Sequence, residues 1–376
     1  MKPPTPKLYP TLALVLAACS ATTPAISQNA PFTSVPVATF DKPWAMTFLP
    51  GGRMLVTEKL GKLKLASADG KAIVDVAGVP TVDSAGQGGL MDVVPHPDFA
   101  TNGLVYLSWS EAGAGGKGVA LGRGKLVQAN GAMRLDGFET LFRARPFIAD
   151  NGHYSGRIAF SPDKKFLFFT NGERQQFTPA QDKAATLGKV LRLTLDGKAA
   201  PGNPLARQGF APEIWSYGHR NLLGIAFDAQ GRLWEQEMGP RDGDELNLVL
   251  PGRNYGYPNV SNGNHYDGRD IPDHKPGDGY EAPKAFWNPA ISPAGLMIYS
   301  GKLWPNWRGN AFIGGMNTPG LARVELNGEV ARKADFYDLG GQRIREVEEG
   351  PDGAIYLLED GNRGSKGRLL KLTPKS

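Results

Sequence analysis

Residues 223–239 read LGIAFDAQGRLWEQEMG. The apolar runs Leu222–Phe227 and Leu233–Met238 flank Asp228, Ala229, Gln230 and Gly231, a turn composition between two strands, so the segment is expected to form a β-hairpin. The same unit recurs as WAMTFLPGGRMLVTE (44–58), LMDVVPHPDFATNGLVYLSWS (90–110), GRIAFSPDKKFLFFTNGE (156–173), GLMIYSGKLWPNWRGNAFIGG (295–315) and REVEEGPDGAIYLLEDG (345–361). The six copies start roughly 45 to 75 residues apart, enough for a four-stranded blade with variable loops. The expected architecture is an all-β, six-bladed β-propeller. A sandwich or jelly roll would not require one hairpin to repeat at such intervals.

Composition agrees with many short strands. The 376 residues are 41% hydrophobic and 21% charged, with 49 glycines and 30 prolines, residues that interrupt helices and build turns. The net charge is +5, but Lys and Arg are interspersed with acids, which argues against a nucleic-acid partner and for a small anion held by a few arginines. Lys2 and Lys7 precede the apolar stretch Leu8–Ala18, which has signal-peptide proportions. Its end, Leu16-Ala17-Ala18-Cys19, is similar to a bacterial lipobox. Residues 1–19 are therefore expected to be a lipoprotein signal, with a lipid anchor on Cys19 and an exported, periplasmic or outer-membrane location. Cys19 is the only cysteine, which leaves no intramolecular disulfide and no thiolate chemistry. Residues 20–36 read as a flexible tether and 37–376 as the propeller domain, with a long polar loop over 259–285.

Hairpin openings are where polar residues from separate copies converge. Gln87 precedes the second copy, His153 opens the third and Glu173 closes it. Antiparallel pairing lets His153 and Glu173 meet, and a carboxylate on one imidazole nitrogen orients the ring and makes the other more basic. That is the arrangement of a general base, although His153 taken alone reads more readily as a polar turn residue. His96, His265 and His274 have no such partner and read as structural or exposed. Arg220 and Asn221 open the fourth copy. Arg343 and Arg345 precede the sixth and alternate, so both can face one anion; surface ion pairs with Glu346, Glu348 or Glu349 are the other reading. The turn GPRDGDE, 239–245, offers the carbonyls of Gly239 and Pro240 with Asp242, Asp244 and Glu245, hard oxygens suited to calcium, without full EF-hand spacing.

Taken together, GQGGLMDVVPHPDF, HYSGRIAFSPD, YGHRNLLGIAF, EMGPRDGDELN, NYGYPNV and RIREVEEGPDG, in this order from about Pro36 onward, resemble the soluble glucose/sorbosone dehydrogenases. These are aldose sugar dehydrogenases that use pyrroloquinoline quinone (PQQ) on six-bladed propellers. The resemblance implies that His153 is the base acting on the sugar's anomeric hydroxyl. Glu173 stands where an aspartate usually supports that base. Gln87 lies beside cofactor and substrate, Arg220 and Asn221 contact the quinone oxygen, and Arg343 and Arg345 hold the cofactor carboxylates. It further implies a calcium on the carbonyls of Gly239 and Pro240. A second calcium is implied on Glu245 and the Tyr255 backbone, with Asp267 as a further ligand, and Trp287 is the aromatic flanking the cofactor. The family commonly has a lysine where Asn317 and Thr318 stand, and Ala290 replaces a threonine. The implied reaction oxidises the C1 hydroxyl of an aldose to a lactone, with electrons leaving to an acceptor that the sequence does not name. A calcium-dependent propeller hydrolase such as a lactonase, and a non-catalytic lipoprotein that binds a glycan or protein, are the competing readings.

Overall fold

The computed structural model describes residues 30–375; the signal, the lipobox and most of the tether lie outside the described residues. After β1 (Phe32–Thr39) come β2 (Pro43–Phe48), β3 (Met54–Glu58), β4 (Lys62–Ala66) and β5 (Ile73–Ala77). Next are β6 (Leu90–Pro95), β7 (Leu104–Gly113), β8 (Gly116–Ala129) and β9 (Ala132–Arg143), then β10 (Ser155–Phe160), β11 (Phe166–Asn171), β12 (Lys189–Thr194) and β13 (Ile214–Tyr217). They are followed by β14 (Leu222–Phe227), β15 (Leu233–Glu237), β16 (Asp244–Leu248) and β17 (Ala285–Trp287). The chain closes with β18 (Pro293–Ile298), β19 (Ala311–Gly315), β20 (Gly320–Asn327), β21 (Val330–Asp338), β22 (Ile344–Glu349), β23 (Ile355–Glu359) and β24 (Arg368–Pro374).

The all-β class expected from the hairpins is what the chain adopts. β10 to β13, β14 to β17 and β18 to β21 each form a four-stranded sheet in chain order, and β22, β23, β24 and β1 form another. The remaining sheet has eight strands, β2-β3-β4-β5-β9-β8-β7-β6. It consists of two antiparallel meanders joined by a short parallel pairing, Val76 with Met133 and Ala77 with Arg134. Each expected hairpin is an antiparallel pair: β2 with β3, β6 with β7, β10 with β11, β14 with β15, β18 with β19 and β22 with β23. The first strands of these pairs pack on one another in sequence, β2 on β6, β6 on β10, β10 on β14, β14 on β18, β18 on β22, and β22 back on β2.

At the middle of this ring the packing is polar. Arg157 of β10 pairs with Glu346 of β22 and reaches Asp92 of β6 at 3.4 Å, with its guanidinium 4.3 Å from the centre of the Trp44 ring of β2. One cation so placed fixes the rotation of four first strands about a common point, because a buried charge tolerates little loss of its partners.

One boundary differs from the sequence reading. Residues 32–36, expected as the end of the tether, are the first half of β1, which pairs antiparallel with β24 from Phe32 opposite Pro374 to Thr39 opposite Arg368. The N-terminal strand thus completes the sheet begun near the C-terminus. Phe32 is 1% exposed and stands edge-on to Tyr337, with ring centres 5.1 Å apart. Alternating Thr, Ser and Pro around it hid a strand whose outer face is solvated. Phe32→Ala is expected to cost about 3 kcal/mol of stability, read as a lower urea midpoint with an unchanged slope; a loss under about 1 kcal/mol would mean that β1 does not close the sheet.

The long polar segment is a folded loop. It has no strand between β16 and β17, but backbone bonds from Ser261 N to Pro272 O (3.0 Å) and from Arg241 N to Asn264 O (2.9 Å) fasten it over the 239–243 turn. Among the described residues no helix is long and apolar enough to cross a membrane.

Candidate active site

His153 and Glu173 meet because β10 and β11 are one hairpin, and each residue lies just outside its open end. Glu173 Oε1 is 2.5 Å from His153 Nδ1, and Oε2 accepts the Phe177 N–H at 2.6 Å. Burial holds the imidazole below its usual pKa despite Glu173. Burial alone would raise the Glu173 carboxyl, but the His153 bond, the Phe177 amide and Arg220 outweigh it and hold the group low. At neutral pH the pair is therefore a neutral histidine donating from Nδ1 to a carboxylate, which leaves Nε2 as a base.

The backbone around this pair is held in unusual conformations. His153, Ser155, Arg174, Gln175 and Phe177 all have left-handed φ, between 47° and 64°, a region that costs side-chain-bearing residues energy and that clusters at functional sites. Arg174 supplies the restraint. It donates to the carbonyls of Gly152 (2.8 Å), Lys117 (2.7 Å) and Asp150 and covers the Tyr154 ring at 3.7 Å. The segment that presents His153 is thereby tied to the segment that presents Glu173. Gln87 Oε1 completes the arrangement by accepting the His153 N–H at 2.8 Å.

Beside this pair opens a cavity of about 570 Å³, lined among others by Gln87, Asn221, Asn317, Arg343 and Arg345. Four sequence-selected hairpin openings thus contribute to one wall. The arginines differ from the sequence reading in their ion pairs. Their carboxylate partner is Asp360, 1% exposed, which Arg343 Nε contacts at 2.8 Å and Arg345 only at 3.9 Å, while Glu346 belongs to Arg157. Arg343 also donates to Met316 O at 2.8 Å. Arg345 Nε has no partner, and burial lowers the group's pKa to about 10. Four cations, Lys59, Arg343, Arg345 and Arg363, face this cavity against the one carboxylate of Asp360. An excess of three positive charges suits a small, planar tricarboxylate such as PQQ, and the volume is that of a small-molecule site.

Arg220 projects to the neighbouring turn. Its Nη1 donates to Met238 O (3.0 Å) and to Gly239 O, its Nε has no partner, and Met238 lines the main cavity. The backbone N–H groups of Arg220 and Asn221 both rest on Glu237 Oε2. Glu237 Oε1 in turn faces His219 Nδ1 at 3.4 Å. His219, fully buried and raised to about 9 chiefly by Glu235 and Glu237 against the cost of burial, with Ser216 on its other nitrogen at 2.9 Å, is a support that the sequence reading did not single out. A histidine between Gly218 and Arg220 carries no signal of partners two strands away.

The acidic turn divides its work differently from the sequence reading. Asp242 accepts from Ala290 N (2.9 Å) and Asp244 from Gly239 N (2.9 Å) and Ser292 N (2.7 Å), so both carboxylates shape the loop. Gly239 is required there, since a Cβ would come within 2.3 Å of Asp242 O and Gly243 O. Gly239, Pro240, Glu245 and Tyr255 instead line a second space of about 10 Å³, together with Glu237 and Ser261. It has the size of one water or ion. Burial first, and then Glu237, push the Glu245 carboxyl well up; carbonyl and carboxylate oxygens of this kind are the donor set that calcium takes, although Arg220 also lines the space and already bonds Gly239 O.

Two expected residues are placed elsewhere. Asp267 stands at the surface, paired with Arg269 at 2.8 Å, away from Glu245. Trp287 is 8% exposed, at the end of β17 opposite Asp244, and does not line the main cavity; Trp44, Tyr154 and Tyr266 do, and of these Tyr266 is 72% exposed. Its ring lies 5.8 Å from the Arg220 guanidinium.

The Glucose / Sorbosone dehydrogenase family model matches residues 40–371. The chain is 39% identical over 344 residues to the aldose sugar dehydrogenase YliI of Escherichia coli (strain K12), covering 89% of this chain and 91% of that protein. Among solved structures, the apo-form of the soluble aldose sugar dehydrogenase from Escherichia coli superposes with a TM-score of 0.85 at 38% identity, over 92% of this chain and all of that one. The PQQ-bound form of the aldose sugar dehydrogenase from Streptomyces coelicolor superposes with a TM-score of 0.74 at 30% identity, over 92% and 100%.

Proposed function

Because the chain belongs to the glucose/sorbosone dehydrogenase family, we propose that it is a PQQ- and calcium-dependent aldose sugar dehydrogenase on a six-bladed propeller, the two meanders of the eight-stranded sheet counting as separate blades. The observation that carries the reading is the juxtaposition of a buried, carboxylate-oriented histidine with a cavity holding four cations against one carboxylate.

Arg343 and Arg345, with Gln87 and Asn221 on the same cavity, are the residues that hold PQQ. Gly239, Pro240, Glu245 and Tyr255, expected to serve two calcium ions, line one space the size of a single ion and would hold one calcium there, as a Lewis acid and as a strut. When bound, PQQ supplies the two-electron acceptor that no amino-acid side chain provides. The protein's own part is acid–base and electrostatic. His153 Nε2 accepts the proton of the C1 hydroxyl, and Glu173 stabilises the resulting imidazolium and keeps the ring from turning. With that proton gone, the C1 hydrogen would leave with its electron pair to the bound acceptor, and C1 of the already cyclic sugar becomes the carbonyl of a lactone. Arg220 does not line the main cavity, but its unpartnered Nε and its position beside Met238, which does, make it our candidate for stabilising developing negative charge.

The protein loaded with PQQ and calcium is expected to reduce an artificial dye with aldoses and to release lactone, and EDTA treatment is expected to remove most of that activity. Failure to bind PQQ in a spectral titration, together with no dye reduction, would overturn the reading; lactone hydrolysis supported by calcium alone would turn it toward the hydrolase.

A further inference from the structure

The uncharged Asn317 and Thr318 leave the cavity wall after β19 without a cation, yet the cavity carries one after β3, in the sheet that packs against β22. Lys59 follows β3 directly, and its main chain is pinned on both sides. Its N–H donates to Lys42 O and its carbonyl accepts the Leu90 N–H, each at 3.0 Å. Gly89 packs against it so closely that a Cβ there would come within 2.2 Å of Lys59 O. The side chain therefore leaves a fixed point and enters the cavity.

Among the described residues Lys59 has no carboxylate partner within ion-pair distance. Its Nζ donates to Gly86 O at 2.6 Å, on the residue next to Gln87. An ammonium has three donors, so two remain available on the cavity side. Burial, then repulsion by Arg345, then by Lys42, lower its pKa, which places Lys59 and Arg345 in one unbalanced positive field. Arg363 is exposed, whereas Lys59 is half-buried and its position is set by the backbone.

We propose that Lys59 binds an anionic group of the cavity's ligand, a cofactor carboxylate on the PQQ reading above, and so supplies from β3 the charge that β19 lacks. Through Gly86 O it also holds in place the segment carrying Gln87, which in turn holds the His153 amide. The ligand's charge and the base's position are then sensed by the same side chain.

The test titrates PQQ into the unaltered apo-protein, Lys59→Gln, Lys59→Arg and Arg345→Gln, following cofactor absorbance at several salt concentrations, with a thermal melt of each apo-protein. Lys59→Gln is expected to weaken binding about tenfold or more, as loss of a charge-assisted bond does. Lys59→Arg should retain most of the affinity, and the salt dependence should flatten in Lys59→Gln because one screened attraction is gone. Affinity within twofold of the unaltered protein in Lys59→Gln, while Arg345→Gln loses binding, overturns the role of Lys59 and leaves the cofactor reading standing. An unchanged salt dependence with a lowered melting temperature overturns it too, since that is what the Gly86 contact alone would produce. Absence of PQQ binding by the unaltered protein overturns both.

Discussion

His153→Ala loaded with cofactor and calcium is expected to turn over aldoses about a thousandfold more slowly than the unaltered protein, the usual contribution of a positioned general base, while binding PQQ with similar affinity. The separation is expected because the His153 contact with Gln87 is made by the backbone N–H, which alanine keeps, and because the ring itself is not among the groups lining the cavity. Alanine at a φ of 47° carries a strain penalty, so His153→Asn, which tolerates that region better, is the control. Both variants should lose turnover alike. The unaltered enzyme should also keep a flat kcat/KM as pH falls to about 6.5 and decline only below it. Burial depresses the imidazole pKa relative to 6.5, so the neutral base persists to lower pH and is lost when the ring gains its proton. Turnover within tenfold of the unaltered protein in either variant, or an acid limb well above 6.5, would remove His153 from the reaction.

The second large effect separates two arginines that look equivalent in the sequence. Arg345→Gln is expected to weaken PQQ binding about a hundredfold with little change in melting temperature, because this side chain has an unpartnered Nε and only a 3.9 Å contact with Asp360, so most of its capacity is directed at the cavity. Arg343→Gln should instead destabilise the apo-protein. It removes the 2.8 Å partner of an almost fully buried carboxylate and the bond to Met316 O, and a buried charge left without its partner costs several kcal/mol. Spectral titration and thermal melts of the two variants measure both effects. The opposite pattern, with Arg345→Gln unfolding and Arg343→Gln only losing cofactor, would show that the anchoring roles are reversed.

Readable in the sequence were the features that arise within one hairpin. Alternation and turn residues located the six strand pairs to within a residue or two, and the His153–Glu173 contact followed because both groups close the same β10–β11 pair. Less readable was whatever depends on neighbours from other parts of the chain. Asp242 and Asp244 looked like metal ligands until Ala290, Gly239 and Ser292 amides were seen to occupy them. Trp287 was assigned to the cofactor because of its motif, but the aromatics lining the cavity are Trp44, Tyr154 and, from the loop, Tyr266. Lys59, Asp360 and His219 passed unnoticed for the same reason, each being ordinary until its surroundings are assembled.

The amino-acid sequence alone determined the all-β class, the repeated hairpins, the family resemblance and the pairing of His153 with Glu173, because period-two burial and turn chemistry act over a few consecutive residues. Only the tertiary structure decided which charges share a cavity, which arginine is spent on Asp360 and which remains available, and where β1 begins. Those depend on segments 49 to 340 residues apart being brought side by side, and a charge has no defined task until its distance to every other charge is set.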